Sequence, residues 1–551
     1  MVNRGRSGGC ATCKQRRVKC DETKPKCRSC QRLRFDCEYK PKHATLKFKD
    51  QNYRFSRAVA NMPRSVAVPD TSVPFFLQHY ASLGRQLSSA RGFYEVLIPV
   101  YSSQPQNSAL NLAVLAIASK VLSLWRCDDS RIPRENYTQA VNCLRRTIQR
   151  RDEFGKPATM LAILSLQLYE NISSVYGLRS GTRVHHDGAM SLLPFVDSNS
   201  TNRVTNSYIR RFMLHTEICS AMREERPLQP IAHPWLGYKN RADAPENMSS
   251  ILDNIGASVA ELQARYVQLV RDNNTIPSFS ALRKIMTETK HIDERLLTWA
   301  RKVPEHWHAL KLESGKHIDH SIPTYLSTCE IYPSCSVATL WTFWRVQRLL
   351  IVKIALGSLN AMSTCGDDGV GSDGISPVNE DFVWYINTVQ SLVDSMCYIV
   401  PFYLGSRVRP LNITDFDDPE ILFPSCDFLV QEDRIPLNEK TTRSQGSRAA
   451  HRRHLHAQGP WHIMTPLSRL LTFFLDDCGQ LMATFLRPGQ LDWIREQFLR
   501  VTTLLRFPSW QTGDFVEQLK PSSLLPQGSD GTRVERFAQD IREGLTFMSG
   551  P

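Results

Sequence analysis

The chain has 551 residues, 42% of them hydrophobic and 22% charged, with a net charge of +14. No run of about 18 uninterrupted apolar residues occurs, which speaks against a membrane span, and no G-x-S-x-G, Walker loop or G-x-G-x-x-G stands ahead of a plausible helix to support an enzyme. The charge is local: residues 1–49 hold 15 Lys/Arg against 4 Asp/Glu, the electrostatic footprint of a polyanion partner such as nucleic acid.

The first element is a cysteine module. Cys10, Cys13, Cys20, Cys27, Cys30 and Cys37 fall in the spacing C-x2-C-x6-C-x6-C-x2-C-x6-C, and the segment repeats internally, CATCKQRRVKC being followed by CRSCQRLRFDC. A structural zinc takes four ligands, so six thiolates serve two zincs when two of them bridge. Such sites are closed, with no position open to water, so a structural and not a hydrolytic role is expected. A disulfide framework is the competing reading of six cysteines in a short module. The opening MVNRGRSGG has no apolar signal-peptide core, and the nine further cysteines are scattered without pattern, as buried thiols of a reducing compartment are.

CATCKQRRVKCDETKPKCRSCQRLRFDCEYK is similar to the fungal Zn(2)-Cys(6) binuclear cluster family of DNA-binding transcription regulators. The resemblance implies two Zn2+, with Cys10 and Cys27 bridging, Cys13 and Cys20 completing one site, and Cys30 and Cys37 the other. It also implies that the basic pair Arg16 and Arg17 reads guanine-rich triplets such as CGG in double-stranded DNA. Many members carry lysine where this chain has Arg17; arginine can form a bidentate fork to guanine O6 and N7. The x6 spacing suits a short helix bearing the run from Lys14 to Lys19 into the major groove. Lys14, Lys19, Arg28 and Arg32 are the candidates for phosphate contacts, which position a module without specifying sequence.

Residues 1–40 are thus read as the cluster domain and 41–72 as a basic linker with prolines at 41, 63 and 69. Phe48, Phe55, Val59 and Met62 make at most two poor heptads, which leaves a homodimer open.

From residue 73 to 551 the pattern is mainly α, a large all-helical body. PFFLQHYASL, SALNLAVLAIASKVLSLW, ENYTQAVNCLRRTIQRR and ATMLAILSLQLYENISS all place apolar residues at helical spacing. Taken in order, FFLQHYASL, YTQAVNCLRRTI, HHDGAMSLL and GPWHIMTPLSRLL resemble the fungal-specific transcription factor domain, the middle homology region, whose implied role is regulatory. Within the body, residues 363–378 and 438–459 are read as mobile loops because they lack apolar content. The stretch TDFDDPEILFPSCDFLVQED is read as a surface loop tucking aromatics inward in preference to an activation segment. His185 and His186 are adjacent and lack the i, i+4 spacing of metal-binding helix pairs, so packing is the expectation.

The resemblance implies a nuclear, non-enzymatic activator that binds promoters and engages the transcription machinery, with a secondary-metabolite gene cluster as a candidate target. The alternative is a zinc-stabilised scaffold whose helical domain binds a partner or a small-molecule effector.

Overall fold

The computed structural model describes residues 9–39, 71–81, 92–196, 202–236, 246–271, 277–364, 377–425, 446–507 and 531–545, apart from residues 129, 151, 154, 179 and 476. The chain divides into two compact units, Met1–Asp70 and Thr71–Pro551. Of the linker, residues 41–70 with its heptad positions lie outside the described residues, whereas Thr71 and Ser72 are described and Ser72 already starts a helix.

The first unit contains two helices of five residues each, α1 (Ala11–Gln15) and α2 (Arg28–Arg32). Helices of this length do not hold themselves in water. Each is started by a cysteine: Cys10 Sγ accepts the Cys13 amide and Cys27 Sγ accepts the Cys30 amide, both at 3.4 Å. Each is followed by a left-handed residue, Arg17 at φ 54° and Arg34 at φ 53°. The sequence repeat is therefore a structural repeat.

The second unit opens with α3 (Ser72–Phe76), continued by a π-helical turn Leu77–Ala81. Then come α4 (Tyr94–Ser102), α5 (Ala109–Arg126), α6 (Ile132–Ile148), α7 (Pro157–Tyr176), α8 (Val184–Leu192) and α9 (Arg203–Glu224). Helix α5 packs against α6 and α7. Ser108 caps it, its hydroxyl accepting the Asn111 amide at 3.2 Å, and left-handed Cys127 ends it. Ala113, Ala116 and Ala118 are fully buried, and such small side chains let neighbouring helices approach closely. By length and composition α5 could cross a membrane, but 61% of it is buried inside the body, as expected of a core helix.

The chain continues through α10 (Met248–Arg271) and α11 (Phe279–Lys302) to a hairpin, β1 (Leu310–Glu313) and β2 (Thr328–Ile331). The strands are antiparallel, with Leu310 opposite Ile331 and Leu312 opposite Cys329. The body is mainly α, as expected, and this hairpin departs from its all-helical reading. Strands of four residues offer too few alternations for a period of two to stand out in sequence. The hairpin is anchored by charge: Glu330 Oε2 accepts from Arg345 Nη2 at 2.9 Å, Ser395 Oγ at 2.6 Å and Tyr332 Oη at 3.0 Å, with Glu330, Arg345 and Tyr332 buried and Ser395 half-buried.

Arg345 lies on α12 (Cys335–Thr364), the longest described helix. On its next turn Arg348 forks onto Asp293 of α11, at 2.7 and 3.1 Å. After α13 (Pro377–Tyr398) and α14 (Val400–Leu404), the loop expected to tuck its aromatics inward does so over its described part. There Phe423 is buried and the Phe416 ring sits 4.8 Å from that of Trp125. The body closes with α15 (Gly446–Phe473), α16 (Asp477–Ala483), α17 (Gln490–Leu504) and α18 (Gly531–Gly544).

Helix α15 corrects a second expectation. Residues 446–459, read as a mobile loop, form its first half, with Leu455 and Ala457 fully buried and His451, His454 and His456 inside the core. Polar composition misled because the imidazoles and backbone find partners. Pro460 has no N–H to satisfy the His456 carbonyl, and Arg407 donates to that oxygen at 3.2 Å and to Leu455 O at 2.6 Å. Gly459 is required for packing, since a Cβ there would stand 2.2 Å from Tyr403 O. Residues 438–445 and 365–376 lie outside the described residues.

The His185–His186 pair is built into packing, as expected. His186 is 2% exposed, its Nε2 lies 2.8 Å from Glu217 Oε2, and its amide donates to Gln167 Oε1. Burial alone would raise the Glu217 carboxyl, but hydrogen bonds from His186, Arg226 and the Gln229 amide outweigh it and hold the pKa at about 2.

Candidate metal centre and nucleic-acid interface

The six N-terminal thiols converge from both halves of the repeat. They form two groups of four, Cys10, Cys13, Cys20, Cys27 and Cys10, Cys27, Cys30, Cys37, and within each group all sulfurs lie within 4.8 Å of one another. Cys10 and Cys27 belong to both. The sulfurs of Cys10 and Cys27 are 3.8 Å apart, those of Cys10 and Cys30 3.7 Å, and those of Cys13 and Cys27 3.6 Å. A tetrahedron with metal–sulfur bonds of about 2.3 Å has edges of about 3.8 Å, so the thiols fit a thiolate-bound metal. They are far beyond the roughly 2.05 Å of a disulfide.

The backbone supports charge on these sulfurs. The Cys10 amide points at Cys20 Sγ at 3.5 Å and the Cys27 amide at Cys37 Sγ at 3.3 Å, the same contact in each half. The Cys13 amide is the main cause that lowers the Cys10 thiol to about 6. Burial instead raises Cys13, and raises Cys30 to about 12. Metal binding to such thiols releases protons and is coupled to folding of the module.

All six candidate DNA contacts, Lys14, Arg16, Arg17, Lys19, Arg28 and Arg32, are exposed. They are not on one helix. Lys14 lies in α1, Arg16 is its C-cap and Arg17 follows in the left-handed region, while Arg28 and Arg32 begin and end α2. The expected helix is thus shorter than the basic run, because the chain must turn after Gln15 to bring Cys20 back to the sulfurs.

Three residues were not singled out from sequence. The Phe35 ring carries the Arg16 guanidinium 4.4 Å from its centre. Stacking uses the face of the guanidinium and leaves its in-plane N–H donors free. Tyr39 packs on the cluster, its hydroxyl 3.6 Å from Cys20 Sγ and donating to Thr23 O at 3.1 Å. Asp21 accepts the Arg28 amide at 3.2 Å, tying the loop between the halves to α2. An aromatic two positions before the sixth cysteine was the only signal for Phe35, and spacing alone does not say what it faces.

Comparison with known proteins agrees with this geometry. Residues 8–45 match the fungal Zn(2)-Cys(6) binuclear cluster domain, and residues 75–337 match the fungal specific transcription factor domain. Over 35 residues the chain is 57% identical to sterol uptake control protein 2 of Saccharomyces cerevisiae, covering 6% of this chain and 4% of that protein. Over 82 residues it is 30% identical to the depudecin biosynthesis cluster-specific transcription activator of Alternaria brassicicola, covering 15% and 13%. The chain thus aligns with no more than 13% of the length of these relatives. No solved structure matches it. With the cysteine module first in the chain and the helical body following it in sequence, the chain joins a fungal Zn(2)-Cys(6) binuclear cluster domain to a fungal specific transcription factor domain.

Proposed function

We propose that the protein is a nuclear, sequence-specific regulator of transcription that binds double-stranded DNA through its N-terminal module. The observation that carries this reading is the pairing of two thiol groups sharing Cys10 and Cys27 with a surface of exposed arginines and lysines. Two Zn2+ would fill the groups, Cys10 and Cys27 bridging, as structural ions that fix the two helices. Their chemistry is to hold six thiolates in place.

In this reading Arg16 and Arg17 contact guanine edges of a CGG-type triplet, and Lys14, Lys19, Arg28 and Arg32 hold phosphates. Phe35 pre-orients Arg16 and so reduces the freedom lost on binding. The helical body transmits the binding to the transcription machinery. The name of the Alternaria relative, a cluster-specific transcription activator, favours activation of a biosynthetic gene cluster.

The test is binding of the full chain to duplexes with and without a CGG triplet, followed by fluorescence anisotropy over a range of salt. A preference for CGG that is weakened by Arg16→Ala, together with a steep fall of affinity with salt, is the expected result. Equal binding to all duplexes would overturn the sequence-specific reading. Mapping bound sites in the genome would give the target genes, and their half-site spacing would report one copy or two.

A further inference from the structure

A second group of metal-type ligands lies in the helical body. Cys335 is the first residue of α12 and is fully buried; His454 and His462 lie on α15, 7% and 6% exposed. Their ligand atoms all fall within 4.8 Å of one another. The three residues are brought together by tertiary packing alone, since Cys335 stands more than a hundred positions before the histidines.

The geometry of the two imidazoles is specific. His454 Nε2 and His462 Nε2 face each other at 3.3 Å. Two nitrogens bound at about 2.0–2.1 Å to one tetrahedral ion are separated by about 3.3–3.4 Å. On the far side of the ring, His462 Nδ1 is 3.3 Å from Thr339 Oγ1. That hydroxyl gives its proton to Cys335 O at 2.8 Å. It must then accept from Nδ1–H, which leaves the lone pair of His462 on Nε2, toward His454 and Cys335. An outer hydroxyl that fixes the tautomer in this way is what supports a ligating histidine. Tyr403 stacks on the His462 ring with centroids 5.5 Å apart and limits its rotation.

We propose that Cys335, His454 and His462 form a mononuclear metal site in the body, separate from the N-terminal cluster. One thiolate with two imidazoles suits Zn2+, and three protein donors leave one tetrahedral position for an exogenous donor. An ion there ties the start of α12 to the middle of α15. Because it binds only the folded arrangement, metal supply stabilises the body by mass action.

The test is metal counting on the purified full chain after exchange against a weak chelator. With the two ions of the cluster filled, three zincs per chain are expected, falling to two in His454→Gln with His462→Gln. A full chain carrying Cys10→Ser and Cys27→Ser, whose cluster is broken, should retain one. Loaded with cobalt, this chain should show a thiolate-to-cobalt absorption band that Cys335→Ala removes. If the histidine variants do not fold, the cobalt spectrum decides. Absence of a bound cobalt with a thiolate band overturns the proposal, as does a third zinc that persists in folded histidine variants.

Discussion

The two units of this chain are held together by different physics. In the N-terminal unit the buried residues are Cys10, Cys13, Cys27 and Cys30, with Cys20, Cys37 and Tyr39 packed against them. In the helical unit one continuous core runs from Phe76 to Leu545 and is built from leucines, isoleucines, valines and aromatics. A module this small has too little apolar surface to offset its chain entropy, so ligation must supply the difference. The body can lose an ion and keep its fold; the module cannot.

Chelation should break this comparison most visibly. Removing metal from the full chain with a strong chelator is expected to abolish DNA binding while nearly all of the helical circular dichroism survives. Only five residues in each of α1 and α2 depend on the cluster. Apparent zinc-binding free energies of about 10–16 kcal/mol for structural sites make this the largest effect. Retention of DNA binding in the metal-free chain would contradict it.

The reverse perturbation strikes the body. Glu330→Ala would leave the Arg345 guanidinium, only 3% exposed, without its carboxylate. Breaking a buried pair from one side costs about 3–5 kcal/mol. Denaturant unfolding should shift to lower concentration by that amount, with the zinc content of the cluster unchanged. A shift below about 1 kcal/mol would mean that Ser395 and Tyr332 satisfy the arginine alone.

Within the module, Arg16→Ala should lower affinity for the preferred duplex by about 1–3 kcal/mol and flatten discrimination at one base, whereas Lys14→Ala should weaken all duplexes alike and reduce the salt slope by about 1. Identical effects of the two changes in anisotropy would remove the distinction between base and phosphate contacts. The smallest effect is expected at the exposed Arg301–Glu294 pair, both side chains 62% exposed. Glu294→Ala should leave the unfolding midpoint nearly unchanged, because solvent screens an exposed pair.

The units also differed in how much of them could be read from sequence. Convergence of the six N-terminal thiols was legible because a local ligand set imposes fixed spacing, and the repeat doubled the signal. Helices such as α5 and α7 were legible because their buried faces recur at the helical period. What escaped depended on contacts between distant segments. The polar stretch before Gly459 packs because Arg407 and Tyr403 meet it, and nothing local announces them. Cys335, His454 and His462 had no shared spacing to betray them, and Phe35 gave no sign that Arg16 would rest on it.

The thiol cluster and its arginines are proposed to form a sequence-reading surface. The most direct measurement is the affinity of the zinc-loaded full chain for a CGG duplex and for the same duplex with the triplet scrambled, at physiological salt. The scrambled site should bind more weakly by at least tenfold, about 1.4 kcal/mol, and Arg16→Ala with Arg17→Ala should erase the difference. Equal affinities in the unaltered chain, or a preference that survives the double substitution, would contradict it.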